Sequence, residues 1–137
     1  MIYVFDSSFI GALIIPDEKN PRTREVRASF REDEDIFIPR LLWYEMANIF
    51  NNLIRRRRFS IDEVIIFFPL LAAIRLTEDF DTGTDYAERL LRLCNEYGLS
   101  SYDAAYLELA ARKKATLCTM DEKLRAAAKQ YGVSVLK

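Results

Sequence analysis

Four carboxylates stand far apart in the chain, at Asp6, Glu45, Asp103 and Asp121, and each sits where a fold could bring it to a common rim. Two carboxylates about 5 Å apart repel by roughly 3 kcal/mol at an effective dielectric of about 20, so such a set is unstable when empty. A hard divalent cation removes that cost. Oxygen-only ligands with retained waters suit Mg²⁺ or Mn²⁺, and the absence of histidine argues against zinc. Ions of this kind position and deprotonate water and stabilise the leaving oxygen of a broken phosphodiester.

Each acid also has a plainer explanation in its local sequence. Asp6 closes the apolar run Ile2, Tyr3, Val4 and Phe5, which reads as a strand buried on both faces. In an open parallel sheet the crevice for ligands lies outside the carboxyl ends of the strands, where strand order reverses. Ser7 and Ser8 follow, either able to cap the next helix, and an Asp at such a corner is common for capping alone. Asp121 repeats this setting after the strand expected over 115–119, with Thr119 or Asp121 available as a helix cap. Glu45 has Leu41, Leu42 and Ile49 as helical neighbours and therefore lies on an inward face, where an ionised group is costly unless paired or metal-bound. The alternatives are a partly exposed Glu at the helix edge or a pair with arginine. Asn48, one turn on, could orient the carboxylate or a bound water. Asp103 lies in the first turn of SSYDAAYLELA, where the helix dipole alone favours an acid. Ala104, Ala105, Ala110 and Ala111 suggest that this helix packs closely on the sheet and aims Asp103 at the strand ends. Ser8 and Thr119 could hold a metal-bound water or a phosphate oxygen.

The elements that would position these groups follow from periodicity and punctuation. A short helix over 8–15 is stopped by Pro16, a polar loop covers 17–21, and 23–31 reads as a basic amphipathic helix. Ile36, Phe37 and Ile38 form a second buried strand before Pro39. A long helix is expected over 40–58, ending in four consecutive arginines. These could contact phosphates or simply form a solvated helix end favoured by the dipole. Ser60 and Glu63 have capping-box spacing, opening an apolar helix to about Arg75 with a kink at Pro69. The run VIIFFPLLAAI within it reads as core with a partial interface. RLTEDF, at 75–80, could hold a short edge strand. A helix over 85–97 points Leu90, Leu91, Leu93 and Cys94 inward and ends at Gly98. Further helices at 102–114 and 121–131 flank the strand at 115–119, and 133–136 reads as a last strand. Strands separated by helices throughout imply a parallel sheet covered on both faces.

Composition removes several classes of function. The 137 residues suit one domain over 1–137, large enough to bury roughly 68–70% of its unfolded surface. Hydrophobic residues at 50% and charged residues at 30% describe a globular chain, not a disordered one. With 20 basic and 21 acidic residues, attraction of a charged partner must come from local segregation. Without histidine, Ser-His-Asp and Cys-His catalysis are excluded. Cys94 and Cys118 read as buried reduced thiols, suiting a reducing cytoplasm. The amino terminus lacks the pattern of a signal peptide. The longest uncharged apolar run, 64–74, is eleven residues, against roughly 20 for a membrane span.

The motifs DSSF at Asp6, EMAN at Glu45, YDAAYLELA at Asp103 and TMDEKLRAAAKQYGVSVL from Thr119 together resemble the PIN-domain nucleases, particularly the VapC toxins of prokaryotic toxin-antitoxin pairs. The resemblance runs from the first strand to the last and keeps all four acids in order. It implies a three-layer α/β/α sandwich with a parallel sheet of about five strands, and Mg²⁺- or Mn²⁺-dependent cleavage of single-stranded or looped RNA. It also implies homodimerisation and inhibition by a cognate antitoxin. Asp6, Glu45, Asp103 and Asp121 are then the catalytic, metal-binding acids, with Ser8, Asn48 and Thr119 as supporting polar residues. Rival readings are a PIN nuclease of RNA processing or decay, a catalytically silent RNA-binding or interaction module, and a phosphatase of the haloacid-dehalogenase type. The last places a second Asp two residues after the first, where this chain has Ser8.

Overall fold

The β-branched and aromatic run at the amino terminus forms a strand, as its composition dictates, and the rest of the sheet assembles around it. A computed structural model describes residues 1–16, 25, 28, 30, 31 and 33–137. Its elements are β1 (Ile2–Phe5), α1 (Ser7–Ile14), β2 (Asp35–Pro39), α2 (Leu41–Arg55), α3 (Ile61–Ile65), α4 (Phe67–Ala73), β3 (Leu76–Asp79), α5 (Thr84–Tyr97), α6 (Ser101–Lys113), β4 (Thr116–Cys118) and α7 (Glu122–Tyr131). The expected loop at 17–21, and most of the basic helix expected over 23–31, lie outside the described residues.

The strands pair in the order β3-β2-β1-β4, all parallel. Strand order reverses at β1, which has β2 on one side and β4 on the other. Helices cover both faces, giving the expected α/β/α sandwich. Phe5 packs its ring against Phe9 of α1 at 4.7 Å between centroids. Val4, Leu107 and Leu117 are fully buried, and α6 packs across β1, β2 and β4. The edge strand expected within RLTEDF is β3, at the end of the sheet. The last strand expected over 133–136 is reduced to one parallel bridge, Leu117 to Val135. β4 has only three residues, so a neighbour can pair only around its middle, through Leu117 N–H to Ser134 and Leu136 N–H to Leu117.

Three local expectations are corrected. The long helix ends at Arg55, not Arg58, because Arg57 adopts a left-handed conformation (φ 57°) and the amides of Arg56, Arg57 and Arg58 turn back onto Asn52, Ile54 and Leu53. The capping box of Ser60 and Glu63 is present, but the helix it opens is broken at Ile66 instead of kinked at Pro69. Proline removes the bond to the carbonyl four residues earlier and collides with it, so the damage falls at Ile65. Leu91 of α5 points outward, 66% exposed, while Leu93 is buried and Leu90 and Cys94 pack at the core edge. The run at 64–74 divides as expected of a core with an open side. Val64, Phe67 and Leu71 are buried, whereas Ile65, Ile66 and Phe68 are exposed. Cys118 is buried and Cys94 only partly so, both as free thiols. No helix among the described residues is long and apolar enough to cross a membrane.

Candidate active site

Strand register places the first contact of the site. Phe5 pairs with Cys118, so Asp6 and Thr119, the next residues on each strand, emerge side by side at the carboxyl edge. The Asp6 amide donates to the Cys118 carbonyl at 3.1 Å, and the Thr119 hydroxyl donates to Asp6 Oδ2. Asp6 Oδ1 accepts from Ser8 Oγ at 2.7 Å and from the Phe9 amide at 2.8 Å. Asp6, not Ser7 or Ser8, is therefore the cap of α1. Ser8 in turn accepts from the Met120 amide at 3.0 Å and lies 3.4 Å from Thr119 Oγ1. The two expected supporting hydroxyls thus lock one buried carboxylate, 4% exposed, across two strands. Burial raises the Asp6 carboxyl, its hydrogen bonds hold it down and the charge of Asp103 adds to the rise, leaving it at about 6.

The other acids arrive from three helices. Glu45, one turn into α2, is half-buried, and Tyr106 Oη donates to its Oε1 at 2.5 Å. Ser7 also helps to hold this carboxyl down. Desolvation raises Glu45 first, opposed by the Tyr106 bond, and Asp103 adds repulsion. Asp103 follows the N-cap Ser100, whose Oγ accepts the Asp103 amide at 3.2 Å. Its carboxyl is raised by desolvation and then by Asp121, with Lys123 opposing. Asp121 caps α7 through Oδ1, which accepts the amides of Lys123 and Leu124 at 2.8 and 3.1 Å. Its own amide donates to Thr119 Oγ1 at 3.0 Å. For Asp6 and Asp121 alike, the capping role and the site position coexist.

Asp103 is the hub of this set, since its charge acts on Asp6 and Glu45 and it feels that of Asp121. The four acids share one rim, yet among the described residues no three of them are close enough to form a ready cage for one ion. Asn48 is exposed one turn beyond Glu45, and the partner Glu45 has taken is Tyr106. Tyr106 is the residue the sequence reading passed over. A tyrosine three residues after Asp103 on an alanine-rich buried helix carries a phenol that must find an acceptor, and that was the available signal. Tyr106 is 1% exposed, and burial followed by Glu45 raises its phenol well above the ordinary range. The oxygen-only donors fit an ion that takes one or two carboxylates directly and keeps several waters, as Mg²⁺ does, and do not fit a closed protein cage.

The sheet order and the acids at its carboxyl edge define a parallel α/β sandwich with a candidate site at its strand ends, and comparison with known proteins places that fold in a family. A family model described as PIN domain matches residues 3–130, and the chain belongs to the PIN-domain family. Ribonuclease VapC3 of Pyrobaculum aerophilum is 27% identical over 124 residues, 90% of this chain and 92% of that protein. A crystal structure from the same organism superposes with a TM-score of 0.71 at 24% identity, covering 98% of this chain and 83% of that one. VapBC2 of Rickettsia felis, solved bound to a DNA fragment from its promoter, gives a TM-score of 0.69 at 14% identity, covering 99% and 98%.

Proposed function

We propose that the chain is a Mg²⁺- or Mn²⁺-dependent endoribonuclease, with residues 1–137 as one nuclease unit, acting in the cytoplasm as the toxin of a toxin-antitoxin pair. The observation that carries this reading is the buried Asp6, held at one strand edge by Thr119 and Ser8 and lifted to about 6 by burial and by Asp103. Such an arrangement is strained without a positive charge and relieved by one. Asp6, Glu45, Asp103 and Asp121 would hold the ion, directly or through waters, with Ser8, Asn48 and Thr119 beside them. A bound divalent ion would supply Lewis-acid activation of the attacking water and neutralise charge at the leaving oxygen. The chain's own part is positional. Ser8 and Thr119 fix the rotamer of Asp6, Tyr106 fixes that of Glu45, and the caps of α6 and α7 set where Asp103 and Asp121 start.

The similarity to Ribonuclease VapC3 supports RNA as substrate, and the likeness to VapBC2 supports a partner protein. The partners proposed are a cognate antitoxin and a second copy of the chain, for which the exposed Ile65, Ile66 and Phe68 offer apolar surface. The test is incubation of purified protein with defined RNAs in Mg²⁺, Mn²⁺ or EDTA, alongside Asp6→Asn and Asp103→Asn. Metal-dependent cleavage lost in both folded variants is expected. Equal cleavage in EDTA, or by either variant, removes the reading, and cleavage without growth arrest on expression moves the protein from toxin to RNA processing.

A further inference from the structure

Beside the acid rim, at the carboxyl ends of β2 and β3, a cavity of about 390 Å³ opens between the starts of α2 and α6. Pro39, Arg40, Leu41, Tyr86, Tyr102 and Ala105 are among its walls. None of the four acids lines it, but two of its walls are their chain neighbours: Tyr102 directly precedes Asp103, and Leu41 stands one helical turn, about 6 Å of rise, before Glu45. Asp79 and Asp81 also line it but are engaged by Arg112 and Arg89. Its mouth carries unusual surface chemistry for a solvated rim. Tyr102, one of its walls, is 62% exposed, and the wall residue Arg40 holds its guanidinium 4.8 Å over the ring of Phe80, which lies outside the lining and is 66% exposed. The Arg40 pair with Glu78 is long, 4.0 Å, and solvated.

Exposed aromatic faces beside a cation are how proteins hold unpaired nucleotides, because every base offers a π-face and every linkage a phosphate. The volume falls within the range of about 300–1,000 Å³ usual for small-ligand sites, which admits a nucleoside and not a docked protein helix. We propose that this cavity receives a nucleobase flanking the scissile phosphate of single-stranded RNA, stacked on Tyr102, with Arg40 facing the neighbouring phosphate. The inference rests on the ribonuclease reading and names how its substrate is seated. A nuclease so built distinguishes unpaired from paired RNA before any chemistry, since a base inside a duplex cannot enter the cavity.

The test measures binding apart from cleavage. Anisotropy of a labelled single-stranded RNA is followed in EDTA across a salt titration, for the wild type, Tyr102→Ala, Tyr102→Phe and Arg40→Gln. Tyr102→Ala is expected to weaken binding roughly tenfold and Tyr102→Phe to restore it, because the ring and not the hydroxyl carries the stack. Arg40→Gln should lower the slope of log K against log salt by about 0.7, the value for one phosphate contact on a single strand. A blunt duplex of the same sequence should show no dependence on Tyr102. In cleavage assays, Tyr102→Ala should raise KM and leave kcat near the wild-type value. Single-strand affinity of Tyr102→Ala within about twofold of wild type overturns the proposal. So does an equal loss on duplex, no binding by the wild type, or a Tyr102→Ala defect confined to capture of a protein partner. Tyr102-dependent binding without any cleavage would instead sink the ribonuclease reading and leave the cavity assigned.

Discussion

Replacing Asp6 by asparagine should stabilise the metal-free protein at neutral pH. The carboxyl rises from 3.8 to about 6 on folding, chiefly through burial. At about 1.4 kcal/mol per unit, ionised Asp6 costs the folded state about 3 kcal/mol. The folded chain binds this proton more tightly than the unfolded chain. Stability therefore falls as pH rises from about 4 to about 6 and stays low above that. Asparagine keeps an oxygen for the Phe9 amide and the Ser8 hydroxyl, and disturbs the Thr119 bond at a cost of about 1 kcal/mol. Urea denaturation in EDTA from pH 3 to 8 should show Asp6→Asn gaining about 2 kcal/mol over wild type by pH 7.5, and falling about 1 kcal/mol below it under about pH 4, where only the disturbed Thr119 bond remains. With Mn²⁺ at a hundredfold its Kd, wild type should recover about 2.7 kcal/mol and the variant far less. A difference between the two proteins that does not change with pH would refute the burial argument, and equal Mn²⁺ stabilisation would refute the assignment of Asp6 as a ligand.

Further outcomes follow from other contacts. Tyr106→Phe, which leaves Glu45 without its phenol donor, should cost about 1.5–3 kcal/mol in denaturant unfolding and raise the midpoint concentration of Mn²⁺ needed for thermal stabilisation. Arg112→Ala should cost about 3 kcal/mol, because Arg112 braces the buried Glu108 at 2.8 Å and Asp79 at 3.0 Å, and its loss leaves Arg89 alone among the described residues to balance Glu108. Its guanidinium holds the Asp79 carboxyl below the ordinary range, so this stabilisation is present above about pH 4 and lost as pH falls further, which a pH series of unfolding free energies will show. Gly98→Ala should cost about 1 kcal/mol purely through its left-handed backbone (φ 67°), since an added Cβ meets nothing within 4 Å, and Gly98→Asn should cost less in the same assay.

The parts of this fold legible in the sequence were those decided by neighbours in the chain. The apolar run before Asp6, the cap at Ser60 and the glycine at 98 each act within one turn, and each stands where expected. Leu91 was misread because periodicity gives a face but not its width, and α5 buries only a narrow stripe around Leu93. The break before Pro69 and the early end of α2 came from steric and hydrogen-bond details one turn away from the residues that advertised them. In the site, the edge positions of Asp6 and Thr119 follow from strand alternation, but their pairing needed the β1–β4 register, which no local pattern contains. The Tyr106 bond to Glu45 spans 61 positions, and only folding could introduce those two side chains.

The bond from Thr119 to Asp6 closes a span of 113 residues, and it ties the first strand of the sheet to the last. A nascent polypeptide leaving the ribosome therefore carries its opening strand and acid long before the segment that orients them exists. Until β4 docks beside β1, Asp6 lacks the hydroxyl that Thr119 supplies, so the opening strand cannot set this carboxylate by itself.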